Sequence, residues 1–121
     1  MNPLEKAVMK QYKNDGWTVL RSGWPDFLLI RERIGAPPVV AGLEVKGRRD
    51  RIQPHQHAIF EALSESIPIL KAQEGFGYGR DCHVDGFDFY STLYADDPYG
   101  PASMERLERA ASILRKLREG A

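Results

Sequence analysis

Two stretches of sequence decide the fold: Trp24-Pro25-Asp26-Phe27-Leu28-Leu29-Ile30 and Leu43-Glu44-Val45-Lys46-Gly47. Each is an apolar run of strand length that carries charged residues, so we expect two β-strands. Because successive side chains of a strand project to opposite faces, Glu44 and Lys46 should share one face while Val45 points to the other.

The segment between these strands, residues 31–38, contains Gly35 and Pro37-Pro38. Glycine and proline in this density are typical of a connection rather than of a strand, so we expect a long hairpin loop here. Such a loop returns the second strand beside the first. Asp26 is then expected to lie across from Glu44.

Asp26, Glu44 and Lys46 together outline a phosphodiesterase site. Neighbouring strands lie roughly 5 Å apart, so two carboxylates on one face could share a small cation. Mg²⁺ suits this geometry, because it binds through one or two carboxylates together with water and phosphate oxygens, and Mn²⁺ could substitute for it. Lys46 would place a compact positive charge beside the reacting phosphate.

The same residues carry a resemblance to a known family. Pro25-Asp26 followed by Glu44-Val45-Lys46 resembles the PD-(D/E)xK nuclease motif. The surrounding sequence is similar to the VRR-NUC branch of that superfamily. The similar residues are Gly23-Trp24-Pro25-Asp26, Glu44-Val45-Lys46-Gly47, Asp50-Arg51-Ile52 and Gln56. The resemblance runs from the first helix to Leu70. It implies an α/β, restriction-endonuclease-like core with the order α-β-β-β-α-β, in which helices flank a mixed sheet.

The resemblance also implies the ligands of a magnesium ion. Asp26 and Glu44 would bind it through their side chains, and Val45 through its backbone carbonyl. Glu5, on the first helix, would supplement the metal site directly or through water. The alternative for Glu5 is a first-turn acid favoured by the helix dipole, with no part in the site.

Lys46 and Gln56 would complete the catalytic group. The resemblance gives Lys46 the task of orienting the attacking water and stabilising charge in the transition state. Gln56 lies at the start of the second predicted helix, where an inward side chain could orient Lys46 or a phosphate oxygen by hydrogen bonds. Its alternative is an ordinary surface glutamine.

The polar segment after Lys46 is a candidate DNA-binding loop. Arg48, Arg49 and Arg51 would hold phosphates, which positions a duplex without reading its sequence. The formal net charge of the chain is zero, and whole-chain basicity is the usual mark of a nucleic-acid binder. A solvated surface of mixed charge is therefore the alternative for these arginines.

Apolar periodicity, together with the residues that begin or end helices and strands, predicts the remaining elements of the core. Asn2 is a plausible N-cap for a helix over residues 3–14, and residues 17–21 have the composition of a strand. A second helix is predicted from Pro54 to about residue 64 or 65, with an apolar face that covers the sheet. Residues 67–72 predict a strand that could pair in parallel with an earlier one.

The 121 residues predict a single domain, with the core at residues 1–73 and an extension at residues 74–121. Within the extension, residues 75–80 are glycine-rich and are expected to form a mobile loop bordering the substrate. Residues 81–100 contain many aromatics but few regular signals, so we expect irregular structure. Helical periodicity returns at residues 103–119 and predicts a C-terminal helix.

Several classes of protein are unexpected. No apolar run has membrane-spanning length and no signal-peptide pattern is present, so we expect a cytoplasmic protein that does not bind a membrane. We also expect no structural zinc site. His55 and His57 point in nearly opposite directions on a helix, and Cys82-His83 supplies too few ligands.

The function predicted from the resemblance is metal-dependent hydrolysis of DNA. One site cuts one strand, so paired cuts across a branched duplex require two protomers related by two-fold symmetry. We therefore expect a homodimeric, structure-selective endonuclease that acts on branched DNA such as four-way junctions. Two alternatives are a restriction-like or nicking endonuclease for plain duplexes, and a DNA-binding module that keeps the nuclease framework without catalysis.

Overall fold

The computed structural model describes residues 1–21, 23, 25–75, 82–94, 112 and 115. Within these residues, two helices and six strands have defined ends. In chain order they are α1 (Pro3–Asn14), β1 (Thr18–Arg21), β2 (Phe27–Arg33), β3 (Ala36–Lys46), α2 (Pro54–Ser64), β4 (Ile69–Glu74), β5 (Cys82–Val84) and β6 (Phe87–Leu93).

A six-stranded mixed sheet is the centre of the fold. Its strand order is β1-β2-β3-β4-β6-β5. β3 and β4 are parallel, because the chain crosses back through α2 between them, and the other neighbouring strands are antiparallel. The predicted order of helix, three strands, helix and strand is confirmed. The fold is of the restriction-endonuclease type.

The helix α1 covers one face of the sheet. The side chain of Asn2 accepts a hydrogen bond from the Glu5 N–H at 2.8 Å, and Pro3 occupies the first turn, where its missing N–H costs nothing. Leu4 and Val8, four residues apart, are buried in the main core. This core also contains residues from four strands: Phe27, Leu29, Ala41, Leu43, Leu70, Ala72 and Phe89.

The helix α2 lies on the opposite face. Phe60 is fully buried. It belongs to a second apolar cluster with Ile52, Ile69 and Tyr94. Gln56, one turn before Phe60, is also buried, whereas Ile59 is 36% exposed. The inward face of α2 therefore contains Gln56 and Phe60, and Ile59 lies outside it.

The connection between β2 and β3 is much shorter than predicted. Strand pairing continues to Arg33 and resumes at Ala36, so only Ile34 and Gly35 form the turn. Gly35 has a φ of +73°, which favours glycine. The prolines at residues 37 and 38 lie beside a register shift, where no ladder N–H is needed. The prediction of a long loop over residues 31–38 is wrong.

The structure also corrects the prediction of irregular structure after residue 81. β5 and β6 form a hairpin whose turn residues, Asp85 and Gly86, have φ values of +52° and +85°. β6 pairs with β4 and so extends the sheet. Asp-Gly is among the preferred dipeptides for such a turn, and this signal was available in the sequence.

Other predictions fall on residues outside the described part of the chain. These are most of the glycine-rich loop at residues 75–80, residues 95–100, and all but two positions of the C-terminal helix. Ser112 and Arg115 are described, and both are helical. Among the described helices, none combines the length and the apolar character needed to cross a bilayer.

Candidate active site

Asp26 and Glu44 meet where β2 begins and β3 ends. Phe27 pairs with Leu43 in the antiparallel ladder, which sets Asp26 level with Glu44. The Asp26 N–H donates to Glu44 Oε1 at 3.1 Å. The Val45 N–H donates to Asp26 Oδ2 at 2.8 Å. The expected juxtaposition of the two carboxyl groups is confirmed, and backbone hydrogen bonds fix it.

The environment of Asp26 opposes ionisation of its carboxyl group. The pKa of Asp26 is raised from 3.8 to about 6. Burial is the largest cause, and the Val45 N–H opposes it; the charge and hydrogen bond of Glu44 raise the pKa further, while Lys46 lowers it. Glu44 is thus close enough to disfavour the charge of Asp26. A bound cation would relieve that repulsion.

Glu44, Lys46 and Gln56 form a closed polar group on the α2 face. Glu44 is only 3% exposed. Its Oε2 lies 3.1 Å from Lys46 Nζ and accepts a hydrogen bond from Gln56 Nε2 at 3.0 Å. Gln56 Oε1 in turn accepts from Lys46 Nζ at 3.0 Å. A nearly dry ion pair needs such additional hydrogen bonds to recover its desolvation cost.

The start of α2 positions Gln56. Pro54 begins the helix, and Gln56 Oε1 accepts a hydrogen bond from the Gln53 N–H at 3.0 Å. This bond satisfies a helix-end N–H that has no partner within the helix. The start of its own helix therefore fixes the Gln56 side chain, and the same amide group contacts Glu44 and Lys46. The predicted contact between Gln56 and Lys46 is confirmed.

The donor atoms at this site fit a hard divalent cation. Within the described part of the chain, no group of three or more His, Cys, Asp and Glu side chains is placed to hold a metal ion. Asp26 and Glu44 could hold such an ion between them, and two carboxylates suit Mg²⁺ with water and phosphate oxygens completing the shell. Glu5 accepts a hydrogen bond from the Asn2 amide at 3.1 Å. Its contribution through water, and that of the Val45 carbonyl, stay predictions.

The three arginines after Lys46 are on the surface. Arg48, Arg49 and Arg51 are all exposed. Arg48 lies 3.7 Å from Glu74 Oε1, and its side chain is 39% exposed. The residues between Lys46 and Ile52 therefore form a basic loop beside the carboxylate pair, as expected from the sequence.

Two polar residues of the site were missed in the sequence. Lys71 and Gln73 of β4 are paired with Glu44 and Lys46 of β3 in the parallel ladder, so they share the α2 face with them. Each is 9% exposed. The signal was present as alternation: Lys71 and Gln73 occupy alternate positions, with Ala72 between them. The prediction ended this strand at residue 72 and left Gln73 outside it.

A comparison with known protein families gives one match. Residues 1–74 match the VRR-NUC domain. The chain belongs to the VRR-NUC family. The matched region contains every residue predicted for the site, and it stops before the β5–β6 hairpin. No curated protein matches the chain.

Membership of the VRR-NUC family assigns a nuclease-type function, with DNA as the substrate. It agrees with the restriction-endonuclease-like fold reached from the sheet order. The PD-(D/E)xK motif that this VRR-NUC chain resembles includes the positions of Asp26, Glu44 and Lys46. Gln56 occupies the position of the glutamine in the VRR-NUC pattern.

Proposed function

We propose that this VRR-NUC protein is a metal-dependent DNA endonuclease that hydrolyses phosphodiester bonds. The observation that carries the proposal is the grouping of Asp26, Glu44 and Lys46. The two carboxyl groups are bridged by backbone hydrogen bonds, and the ammonium lies 3.1 Å from Glu44 Oε2. Acidic ligands beside a lysine are what metal-assisted phosphodiester hydrolysis requires.

The metal proposed is Mg²⁺, with Mn²⁺ able to substitute. Asp26, Glu44 and the Val45 carbonyl would hold it, and Glu5 would contribute through water. The ion would supply Lewis acidity, which polarises a phosphate oxygen and lowers the pKa of a bound water. Its positive charge would also offset the burial and the repulsion from Glu44 that raise the pKa of Asp26.

The chain's own residues would position the reactants. Lys46, held by Gln56 and Glu44, would direct its ammonium toward the attacking water and the phosphate oxygens that gain charge. Gln56 would prevent the Lys46 ammonium from pairing with Glu44 alone, because the Gln56 amide binds both side chains. Arg48, Arg49 and Arg51 would hold phosphates along the strand.

The substrate proposed is branched DNA, such as a four-way junction, cut by a homodimer. A single site can cut only one strand, so symmetric cuts need two sites in a two-fold arrangement. Light scattering with size-exclusion chromatography at micromolar concentration should therefore report a dimer. A monomer at that concentration would contradict this part of the proposal and leave hydrolysis untouched.

A cleavage panel tests the function. Supercoiled plasmid, linear duplex, flapped and four-way-junction DNA are incubated with the protein in Mg²⁺, in Mn²⁺ and in EDTA. We expect cleavage in either metal, none in EDTA, and preference for the branched substrates. Equal cleavage of plain duplex would instead support a restriction-like or nicking enzyme.

Asp26→Ala should reduce cleavage by roughly three orders of magnitude, because it removes one ligand of the carboxylate pair. Asp15→Ala is the matched control, since Asp15 is an exposed acid at the end of α1, and it should cleave as wild type does. DNA binding without cleavage by wild type in both metals would support the non-catalytic binding module.

A further inference from the structure

The backbone of the basic loop after Lys46 is attached to the sheet through the side chain of Gln73 on β4. We propose that Gln73 is a positioning residue for DNA binding: its amide fixes the backbone of residues 47–50, so that Arg48 and Arg49 in this turn and Arg51 directly after it are presented to phosphates beside Lys46. The inference rests on the proposed function, because it assigns Gln73 a role in contacts that this function requires.

The contacts of Gln73 go to backbone carbonyl oxygens of the loop. Gln73 Nε2 lies 2.6 Å from the Gly47 oxygen, 3.3 Å from the Asp50 oxygen and 3.5 Å from the Arg48 oxygen. An amide has two N–H donors, so the two nearest oxygens are the main acceptors. An amide oxygen in this place would face three carbonyl oxygens, and this fixes the orientation of the side chain.

Gln73 holds the loop at the level of the catalytic lysine. In the parallel ladder Gln73 pairs with Lys46, so the two side chains are neighbours on the α2 face. Gln73 is 9% exposed, which shields its hydrogen bonds from competition with water. The distance between the loop backbone and the reacting centre is therefore set by β4, outside the loop itself.

The loop is a hydrogen-bonded turn, so an attachment at its backbone can orient the whole turn. The Asp50 N–H donates to the Gly47 oxygen at 3.1 Å, and the Gly47 N–H donates to Asp50 Oδ2 at 3.0 Å. A Cβ at Gly47 would lie 2.8 Å from Asp50 Oδ2, so the Asp50 side chain would have to move away from the Gly47 N–H. On the far side the loop ends at Ile52, which is buried in the cluster under α2.

This arrangement lowers the entropic cost of binding phosphates. Arg48, Arg49 and Arg51 are exposed, but the backbone of the turn before Arg51 is already ordered. Only their side chains need to be immobilised on DNA, which makes binding tighter than from a free loop. Without the Gln73 amide, DNA binding would also have to order the backbone of the turn. The phosphate contacts of all three arginines would then weaken.

Binding of a fluorescent duplex is measured by anisotropy in EDTA, which prevents cleavage, over a range of salt concentrations. For Gln73→Met we expect Kd to rise roughly five- to tenfold. The slope of log Kd against log salt should fall by about 1, since each lost phosphate contact contributes about 0.9. Gln11→Met is the matched control: Gln11 is a half-buried glutamine of α1, on the other face of the sheet, and its variant should match wild type.

A double-mutant cycle identifies the route of the effect. If Gln73 acts through the loop, Arg51→Ala should weaken binding less in Gln73→Met than in wild type. Gln73→Asn retains an amide too short to reach the turn, and it should behave as Gln73→Met does.

Wild-type Kd and salt slope in either folded variant, or strict additivity with Arg51→Ala, would overturn the inference alone. If Arg51→Ala binds as tightly as wild type, the proposed phosphate contact fails, and the inference with it.

Discussion

At the scale of single residues, Asp26 is a carboxyl group held where its ionised form is disfavoured. Its pKa of about 6 results first from burial and then from the neighbouring Glu44. The fold tolerates this cost because the backbone N–H of Val45 binds the Asp26 carboxylate at 2.8 Å. Under the proposed function, a metal ion bound by Asp26 would take the place of this proton.

The raised pKa predicts how stability depends on pH in EDTA. Between the unfolded pKa of 3.8 and the folded pKa of about 6, the folded state binds more protons than the unfolded one. The free energy of unfolding therefore falls as pH rises through this window. Asp26→Asn removes the titration, so its stability relative to wild type should be greater at pH 7.5 than at pH 4.

The size of this difference should be about 1–2 kcal/mol, less than the full pKa shift implies, because Asp26 is only half-buried and solvent screens its charge. Denaturant titrations of both proteins at the two pH values measure it. The same stability difference at pH 4 and pH 7.5 would show that Asp26 titrates alike in the folded and unfolded states.

The residues of the carboxylate pair could be predicted from the sequence, whereas the strand register that places Lys71 and Gln73 beside them could not. Strand alternation alone puts Glu44 and Lys46 on one face, and a hairpin brings Asp26 beside them. The position of Gln73 depends on the register of a parallel pair whose partners are separated by α2. No local pattern fixes that register, because helix packing sets how far the returning strand slides.

At the scale of elements, the β2–β3 hairpin shows why proline and glycine do not predict the length of a loop. Both residue types are typical of loops, yet β3 includes Pro37 and Pro38, and the turn contains only Ile34 and Gly35. β4 pairs with β3 only from Gly42 onward. The first part of β3 therefore does not pair with β4. The N–H groups that Pro37 and Pro38 lack are not needed for a ladder hydrogen bond on that side.

Gly42 of β3 is needed for the approach of the Pro25-Asp26 segment to the sheet. A Cβ at this position would lie 2.7 Å from Pro25 Cγ and 2.7 Å from Ile69 Cδ1. Gly42→Ala should therefore reduce the free energy of unfolding by about 1–3 kcal/mol, the usual cost of overpacking. Cleavage should fall as well, because Pro25 carries Asp26 with it.

The double variant Gly42→Ala/Pro25→Ala tests the cause, since it removes the ring carbon that the new methyl group would meet. Its stability loss, measured by thermal unfolding, should be smaller than the sum of the two single losses. Additive losses would place the strain at Ile69 instead and separate Gly42 from the position of Asp26.

At the scale of the whole molecule, the sheet extends beyond the region that matches the VRR-NUC domain. The match ends at residue 74, at the last residue of β4. The β5–β6 hairpin then covers the edge of β4 and contributes Phe89 to the main core. Tyr12 on α1 and Ser91 on β6 bind through their hydroxyl groups at 2.6 Å. The hairpin is thus fastened to both the sheet and its first helix.

A fragment of residues 1–74 should therefore fail to fold as an independent unit. It would expose the edge of β4 and leave cavities where Phe89 and Tyr94 are buried. Each of these losses costs about 3–5 kcal/mol, and together they approach the whole stability of a domain of this size. A fragment of residues 1–94, which keeps all six strands, is the control and should melt cooperatively. Circular dichroism with thermal unfolding distinguishes them, and a cooperative transition of the shorter fragment at the control's Tm would mean that the hairpin is an accessory to the fold.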